Sequence, residues 1–325
     1  MMKRKPDLSP VLMLVLLVLF LVWPLFAKEA VLYFRVMGMA CFYGALAFSW
    51  NLYALTGAIS LGHAAFFGLG AYGSVLANHY WHISPYLSIL LGGLMGAVYG
   101  FFWNITFRNL RGARFALATL ASVEIPKVII DNWDTFTFGS LGLVGIPPLP
   151  SLELGGAVLA FGKSLRAQYY FLFLFMLLIG CIHKRAITSR WGWAIRSIRE
   201  DEVAAATLGV DVAGTRFQAL MLSAFLTGLC GGLYVHLLGL VEPALVFSLH
   251  LSALPLVLSI FGGRYQFYGP LLGALILYPV DQFFFHSWVP VGHAALYGLV
   301  VIAALLFFPR GIGAWVQQRM KYAWN

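Results

Sequence analysis

Charged side chains inside the long apolar stretches are few, so each is a candidate for chemistry. Glu124, Lys127 and Asp131 stand at i, i+3 and i+7, a spacing that puts all three on one side of a helix. Charge in apolar surroundings is costly, so the spacing implies either an ion pair within the helix or a wet cavity. Ser60 and His63 place a hydroxyl and an imidazole next to Gly57, Gly62, Gly68, Gly70 and Ala71. Such a glycine-rich segment either packs tightly, backbone on backbone, or breaks and lines a pathway. Asp281 is an isolated acid in an apolar run, and nothing around it assigns it a role. His286 and His293 flank Trp288-Val289-Pro290 with no carboxylate or cysteine nearby, which suits interfacial residues better than metal ligands. Cys41, Cys181 and Cys230 lie in apolar runs without ligand spacing, so neither zinc nor a disulfide framework is expected. No catalytic set emerges. The chain lacks a Gly-x-x-x-x-Gly-Lys-Ser/Thr loop, a Gly-x-Ser-x-Gly elbow and a His-Glu-x-x-His pair. Any nucleotide chemistry must therefore come from another chain, and an intramembrane hydrolase is disfavoured.

The elements that position these residues are membrane helices. The chain has 325 residues, 61% hydrophobic and 10% charged, where a soluble domain carries about 25% charged residues. Chains of this kind span lipid either as closed barrels or as helices of roughly 20 apolar residues. The apolar runs are long and do not alternate, so the expectation is an all-α integral membrane protein of eight to ten transmembrane helices. Ten segments stand out: 11–27, 31–53, 57–77, 86–107, 115–130, 168–182, 217–241, 250–261, 269–285 and 294–308. The first follows Lys3, Arg4 and Lys5 as a secretory signal would. Leu25 spoils the small-x-small pattern before Ala27, so an uncleaved first span is expected.

Threading the chain from an inside N-terminus puts 16 of the 21 lysines and arginines on the cytoplasmic side, with both ends inside. This asymmetry accounts for the net charge of +9 without nucleic acid as a partner. The whole of 1–325 reads as one transmembrane domain with an irregular external loop at about 131–167 and a cytoplasmic loop at about 184–216. The cytoplasmic loop is helical in pattern. Ile195 and Ile198 share a face, Val203, Ala206 and Thr207 continue it, and Gly209 suits a C-terminal cap. That face is expected to dock a soluble partner.

Within this loop, Gly192, Ala194, the run Ile198-Arg199-Glu200, Glu202, Ala204-Ala205 and Leu208-Gly209 resemble the cytoplasmic loop of permease subunits of branched-chain amino-acid ABC importers. Gly57 to Tyr72, with Ser60-Leu61-Gly62-His63-Ala64-Ala65-Phe66-Phe67-Gly68 at its centre, is similar to a second segment of that family. So are Leu117 to Lys127, Thr137 to Pro147, Gly262 to Pro270 and Leu306 to Gly311. Together they cover roughly residues 45 to 313. Departures are Trp193 and Lys127 where the family has arginine, Phe138 and Tyr265 where it has glycine, and Leu141 where it has a polar residue. The resemblance implies an ABC importer permease fold in a bacterial inner membrane. It implies as partners a second, homologous permease subunit, two ATPase subunits carrying ATP and Mg, and a periplasmic solute-binding protein. Gly192, Ile195, Arg196, Ile198, Arg199, Glu200, Glu202 and Gly209 would then form the ATPase coupling element, and Ser60, Gly62, His63, Glu124 and Lys127 the translocation pathway. The implied solutes are branched-chain amino acids or related small polar molecules. The alternative is a stand-alone secondary transporter with Glu124 and Asp281 as coupling-ion sites; such a carrier has no use for a docking loop.

Overall fold

The computed structural model describes residues 18–24, 31–154, 157–159, 161–162, 164–285, 298–299, 302–303, 306, 311–313 and 315. It is an all-α membrane protein. After a helical stretch at 18–24 come α1 (Val31–Ala54), α2 (His63–Trp81), α3 (Pro85–Phe107), α4 (Gly112–Ala121), α5 (Glu124–Asp131) and the short α6 (Asp134–Thr137). Next are α7 (Leu165–Thr188), α8 (Arg190–Glu200), α9 (Glu202–Thr207) and α10 (Val212–Leu238). The short α11 (Pro243–Val246), α12 (Leu249–Gly262) and α13 (Gly269–Val280) follow, and α13 runs into a π-helical turn, Asp281–Phe285. Two antiparallel two-stranded ribbons complete the described part: β1 (Leu143–Val144) with β4 (Leu240–Val241), and β2 (Leu152–Leu154) with β3 (Ala157–Leu159).

Among the described residues, five segments are long and apolar enough to cross a membrane: α1, α3, α7, α10 and the α11–α12 stretch. Helix α1 is apolar all round and therefore central. From Ala40 to Ala54 every residue is buried, against α7, α10, α12 and α13. Beside it, α2, α3 and α10 cross with almost no side chain between them. A Cβ at Gly70 would lie 2.2 Å from the Gly228 carbonyl oxygen, and one at Gly92 2.4 Å from that of Gly70. Only glycine permits this approach, so the close packing expected of the Gly68–Ala71 segment is realised at Gly70.

Two expected spans have different limits. The 57–77 segment becomes helical only at His63, because Gly57 (φ +90°) turns the chain after α1 and residues 58–62 run irregularly against α4; the helix then continues to Trp81. The 115–130 segment is interrupted at Ser122–Val123. Pro126 has no N–H to give the Ser122 carbonyl, and the Tyr99 hydroxyl donates to that carbonyl instead, at 2.7 Å. The 131–167 loop, expected to be irregular, holds α6, a 3-10 turn at Gly139–Leu141 and the β-ribbons. Of the first and last expected spans, most residues lie outside the described ones, as do His286 and His293.

The bundle has two distinguishable ends. At one, Arg108, Arg111, Arg216 and Arg264 gather with α8 and α9. At the other, Tyr80 donates to the Phe136 carbonyl, Tyr86 to that of Pro150, and β1 pairs with β4.

Candidate functional site

Helices α8 and α9 are built to be held in place. Ser189 caps α8, its Oγ accepting from the Gly192 N–H at 3.3 Å. A Cβ at Gly192 would lie 2.2 Å from the Ile187 carbonyl oxygen, so glycine is what lets α8 fold back on α7. Arg196 then donates to the Ile187 carbonyl at 3.1 Å and to that of Gly192 at 3.2 Å, a cation at the carbonyl end of α7. Asp201, extended, ends α8 and caps α9, accepting from the Val203 and Ala204 N–H groups at 2.9 Å each. Gly209 (φ +85°) closes α9, with Gly209 N–H on Ala206 and Val210 N–H on Ala205 in a Schellman arrangement.

The expectation about the docking face is corrected here. Ile195 and Ile198 are 1% and 2% exposed, packed into the chain itself. The turn at Asp201 resets the helical phase, so Ala205 and not Val203 continues the inward face. What faces outward is Trp193, Val203 and Leu208, at 67%, 73% and 84% exposure.

Three ties join this loop to other elements. Glu202 Oε1 accepts from Arg216 of α10 at 2.6 Å and from Arg111, between α3 and α4, at 2.9 Å. Burial pushes the Glu202 carboxyl up, but the hydrogen bonds and charges of Arg216 and Arg111 outweigh it and hold the carboxyl below its ordinary range. Arg199 sits over the Tyr265 ring at 4.4 Å, between α12 and α13, and pairs with Glu200 at 2.5 Å. Arg196 stacks on Trp193 at 4.3 Å as it grips α7. The loop cannot move without pulling on α3–α4, α7, α10 and the α12–α13 turn.

The expected pathway residues separate into two groups. Ser60 and His63 are each 1% exposed and belong to an internal network. Ser223 donates to the Ser49 carbonyl at 2.7 Å, so its oxygen accepts from His63 Nε2–H at 2.9 Å. Nδ1 of His63 is then left to accept from the Ser60 hydroxyl at 3.1 Å. Both ring nitrogens are used within the chain, and neither is presented to a solute. Gly62 faces α4, where a Cβ would lie 2.1 Å from the Thr119 carbonyl oxygen. Glu124 and Lys127 differ from these. They pair at 3.5 Å on α5, with side chains 62% and 30% exposed, beside outward-facing Ile125, Val128 and Ile129. Asp281 is buried with one carboxylate oxygen unpartnered, the other accepting from Gln282 at 3.1 Å. Among the described residues no three His, Cys, Asp or Glu side chains gather as a metal site would need.

Sequence reasoning missed the Glu202 bridge to Arg111 and Arg216, which no local pattern signals, since its members are 91 and 14 residues apart.

Comparison with known proteins fits this arrangement. A family model described as branched-chain amino acid transport system / permease component matches residues 32–308. The high-affinity branched-chain amino acid transport system permease protein LivM of Escherichia coli (strain K12) is 27% identical over 94% of this chain and 75% of its own length. The nucleoside ABC transporter permease protein NupC of Lactococcus lactis subsp. cremoris is 25% identical over 55% of this chain and 59% of its own. The probable branched-chain amino acid transport permease protein LivH of Methanocaldococcus jannaschii is 25% identical over 75% of this chain and 79% of its own. No solved structure matches.

Proposed function

Since the chain belongs to the family of permease components of branched-chain amino-acid transport systems, we propose that it forms one half of the pathway of an ATP-driven importer and that α8 and α9 couple it to an ATPase. A second, homologous permease completes the pathway. Two ATPase subunits, carrying ATP and Mg, sit against the arginine-rich end, which faces the cytoplasm of a bacterial inner membrane. A periplasmic binding protein delivers the solute at the other end, and both termini are cytoplasmic. The solute is a branched-chain amino acid or a related small polar molecule. The NupC relative is named for nucleosides, so family membership alone leaves the class of solute wider than one amino acid.

The observation that carries the reading is the attachment of the α8–α9 loop. It presents Trp193, Val203 and Leu208 outward while Arg196, Arg199 and Glu202 fasten it to four membrane elements. A force on the outer face therefore reaches the spans directly. Gly192, Ile195, Ile198 and Gly209 give the loop its shape, and Glu200 steadies Arg199. In the pathway, Glu124 and Lys127 face the partner permease across the interrupted α4–α5 segment. Ser60, Gly62 and His63 hold that segment in position from behind. The stand-alone carrier loses its ground with the family assignment.

Val203→Asp tests the coupling. A charge on an exposed residue leaves the fold intact but costs a few kcal/mol where an apolar contact must close over it. The ATPase is expected to be lost on copurification and solute uptake to fall, with the permease still inserted. Normal ATPase retention and normal uptake in this variant would remove the loop from the coupling role.

A further inference from the structure

Glu202 forms one wall of an open-mouthed cavity of about 590 Å³ at the arginine-rich end of the bundle. The last turn of α3 supplies Asn104, the α3–α4 turn Arg108, Asn109 and Arg111, and the first turns of α10 Arg216. Three arginines line the cavity against one carboxylate, with Arg111 and Arg216 on Glu202 itself, and guanidinium stays protonated at any working pH. The cavity is therefore strongly positive even with Glu202 ionised. Its donors are also incompletely used. Arg111 Nη1 donates to the Arg108 and Leu110 carbonyls, but Arg111 and Arg216 share the single oxygen Oε1 of Glu202, Arg216 Nε–H is buried with no partner, and Arg108 makes no ion pair among the described residues. A group with several acceptor oxygens fits this donor set better than a carboxylate does.

The remaining wall is apolar: Trp103, Phe107, Phe115, Phe217 and Leu220. It continues onto the outer face of α3, where Phe101, Phe102 and Ile105 are 47%, 56% and 57% exposed. Phe101 touches Phe217 of the cavity wall, with ring centroids 6.2 Å apart. A cationic pocket that grades into an exposed apolar face of a membrane-length helix matches an amphipathic anion.

We propose that this cavity is a binding site for the phosphate headgroup of an anionic phospholipid. The phosphate lies among Arg108, Arg111 and Arg216, and the acyl chains lie along α3. Because Glu202 occupies two of the same guanidinium groups, a bound headgroup competes with the tie between α9 and the membrane helices, so lipid charge tunes the coupling loop.

The test uses the purified full chain in detergent, with native mass spectrometry after addition of phosphatidylglycerol or phosphatidylcholine. Selective retention of phosphatidylglycerol is expected, reduced about fivefold by Arg108→Gln, as one cation near an anionic headgroup implies. Asn109→Asp, at an exposed position that can change without refolding the bundle, is expected to reduce it as well. Arg114→Gln, outside the cavity, is expected to leave it unchanged, and Glu202→Gln to raise it. Equal retention of the two lipids would overturn the proposal, as would cavity variants that behave like Arg114→Gln. Displacement of phosphatidylglycerol by millimolar inorganic phosphate would overturn the lipid as occupant and give the guanidinium groups to a free phosphate.

Discussion

At the scale of single residues, Glu124 allows a clean separation of structure from transport. It pairs with Lys127 at 3.5 Å and its side chain is 62% exposed, a setting in which an ion pair contributes about 0–1 kcal/mol. Glu124→Gln is therefore expected to leave the thermal midpoint and the assembled complex almost unchanged. Solute uptake is expected to fall, because an ionisable group exposed beside Ile125, Val128 and Ile129 serves a wet site. Unchanged uptake would take Glu124 out of the pathway, and loss of assembly would make the pair structural. Individual residues also mark where the sequence was legible. Gly209 read as a cap because a helix ending in αL favours glycine, and it has φ +85°. The departures were harder. Phe138, which read as a departure from the family pattern, holds φ +65°, offset by ring contacts with His79 and Tyr80. Tyr265, at another such position, supplies the ring beneath Arg199. A one-dimensional pattern shows the substitution but not the neighbour that makes use of it.

At the scale of elements, apolar periodicity located the helices but misjudged where their phase is lost. Ile195 and Ile198 do share a face, yet carrying that face on to Val203 assumes one continuous helix, and Asp201 ends one and starts another. The 115–130 segment read as one span because its residues are mostly apolar, although Pro126 lies well inside it. The carbonyl it orphans is satisfied by Tyr99 from another helix, which no local rule anticipates. The same blindness to distant partners hid the Glu202 bridge, and that bridge has a pH signature. The folded carboxyl lies below its ordinary value of 4.5, so its contribution is fully present above the unfolded value and is lost as pH falls through the folded one. Hydrogen exchange of the Glu202–Thr207 amides, corrected for intrinsic rate, is expected to show constant protection above the ordinary carboxyl value of 4.5 and a loss only as the pH falls further. In Glu202→Gln the pH-dependent loss is expected to be much smaller. An identical acid transition in that variant would place the titrating group elsewhere.

For the molecule as a whole, the composition identified an all-α membrane protein because lipid leaves few alternatives, and charge asymmetry supplied the threading. The structure permits that threading to be tested across one helix. Leu141 and Leu208 are 89% and 84% exposed, and of the helices between them only α7 is long enough to span, its 24 residues rising about 36 Å against a hydrocarbon core of about 30 Å. The two positions are therefore expected on opposite sides. Leu208 shares its end of the bundle with Arg108, Arg111, Arg216 and Arg264, and cationic loops are retained on the cytoplasmic side. Cysteines introduced at these positions, with the exposed Cys181 replaced by serine and the buried Cys41 and Cys230 kept, report the side directly. The chain is expressed without the proposed ATPase subunits, so that no partner covers Leu208. An impermeant maleimide is expected to label Leu141→Cys in intact cells and Leu208→Cys only after permeabilisation. Labelling of both in intact cells would show that α7 does not cross. The reverse pattern would turn the importer over, putting the coupling loop where no ATPase could reach it.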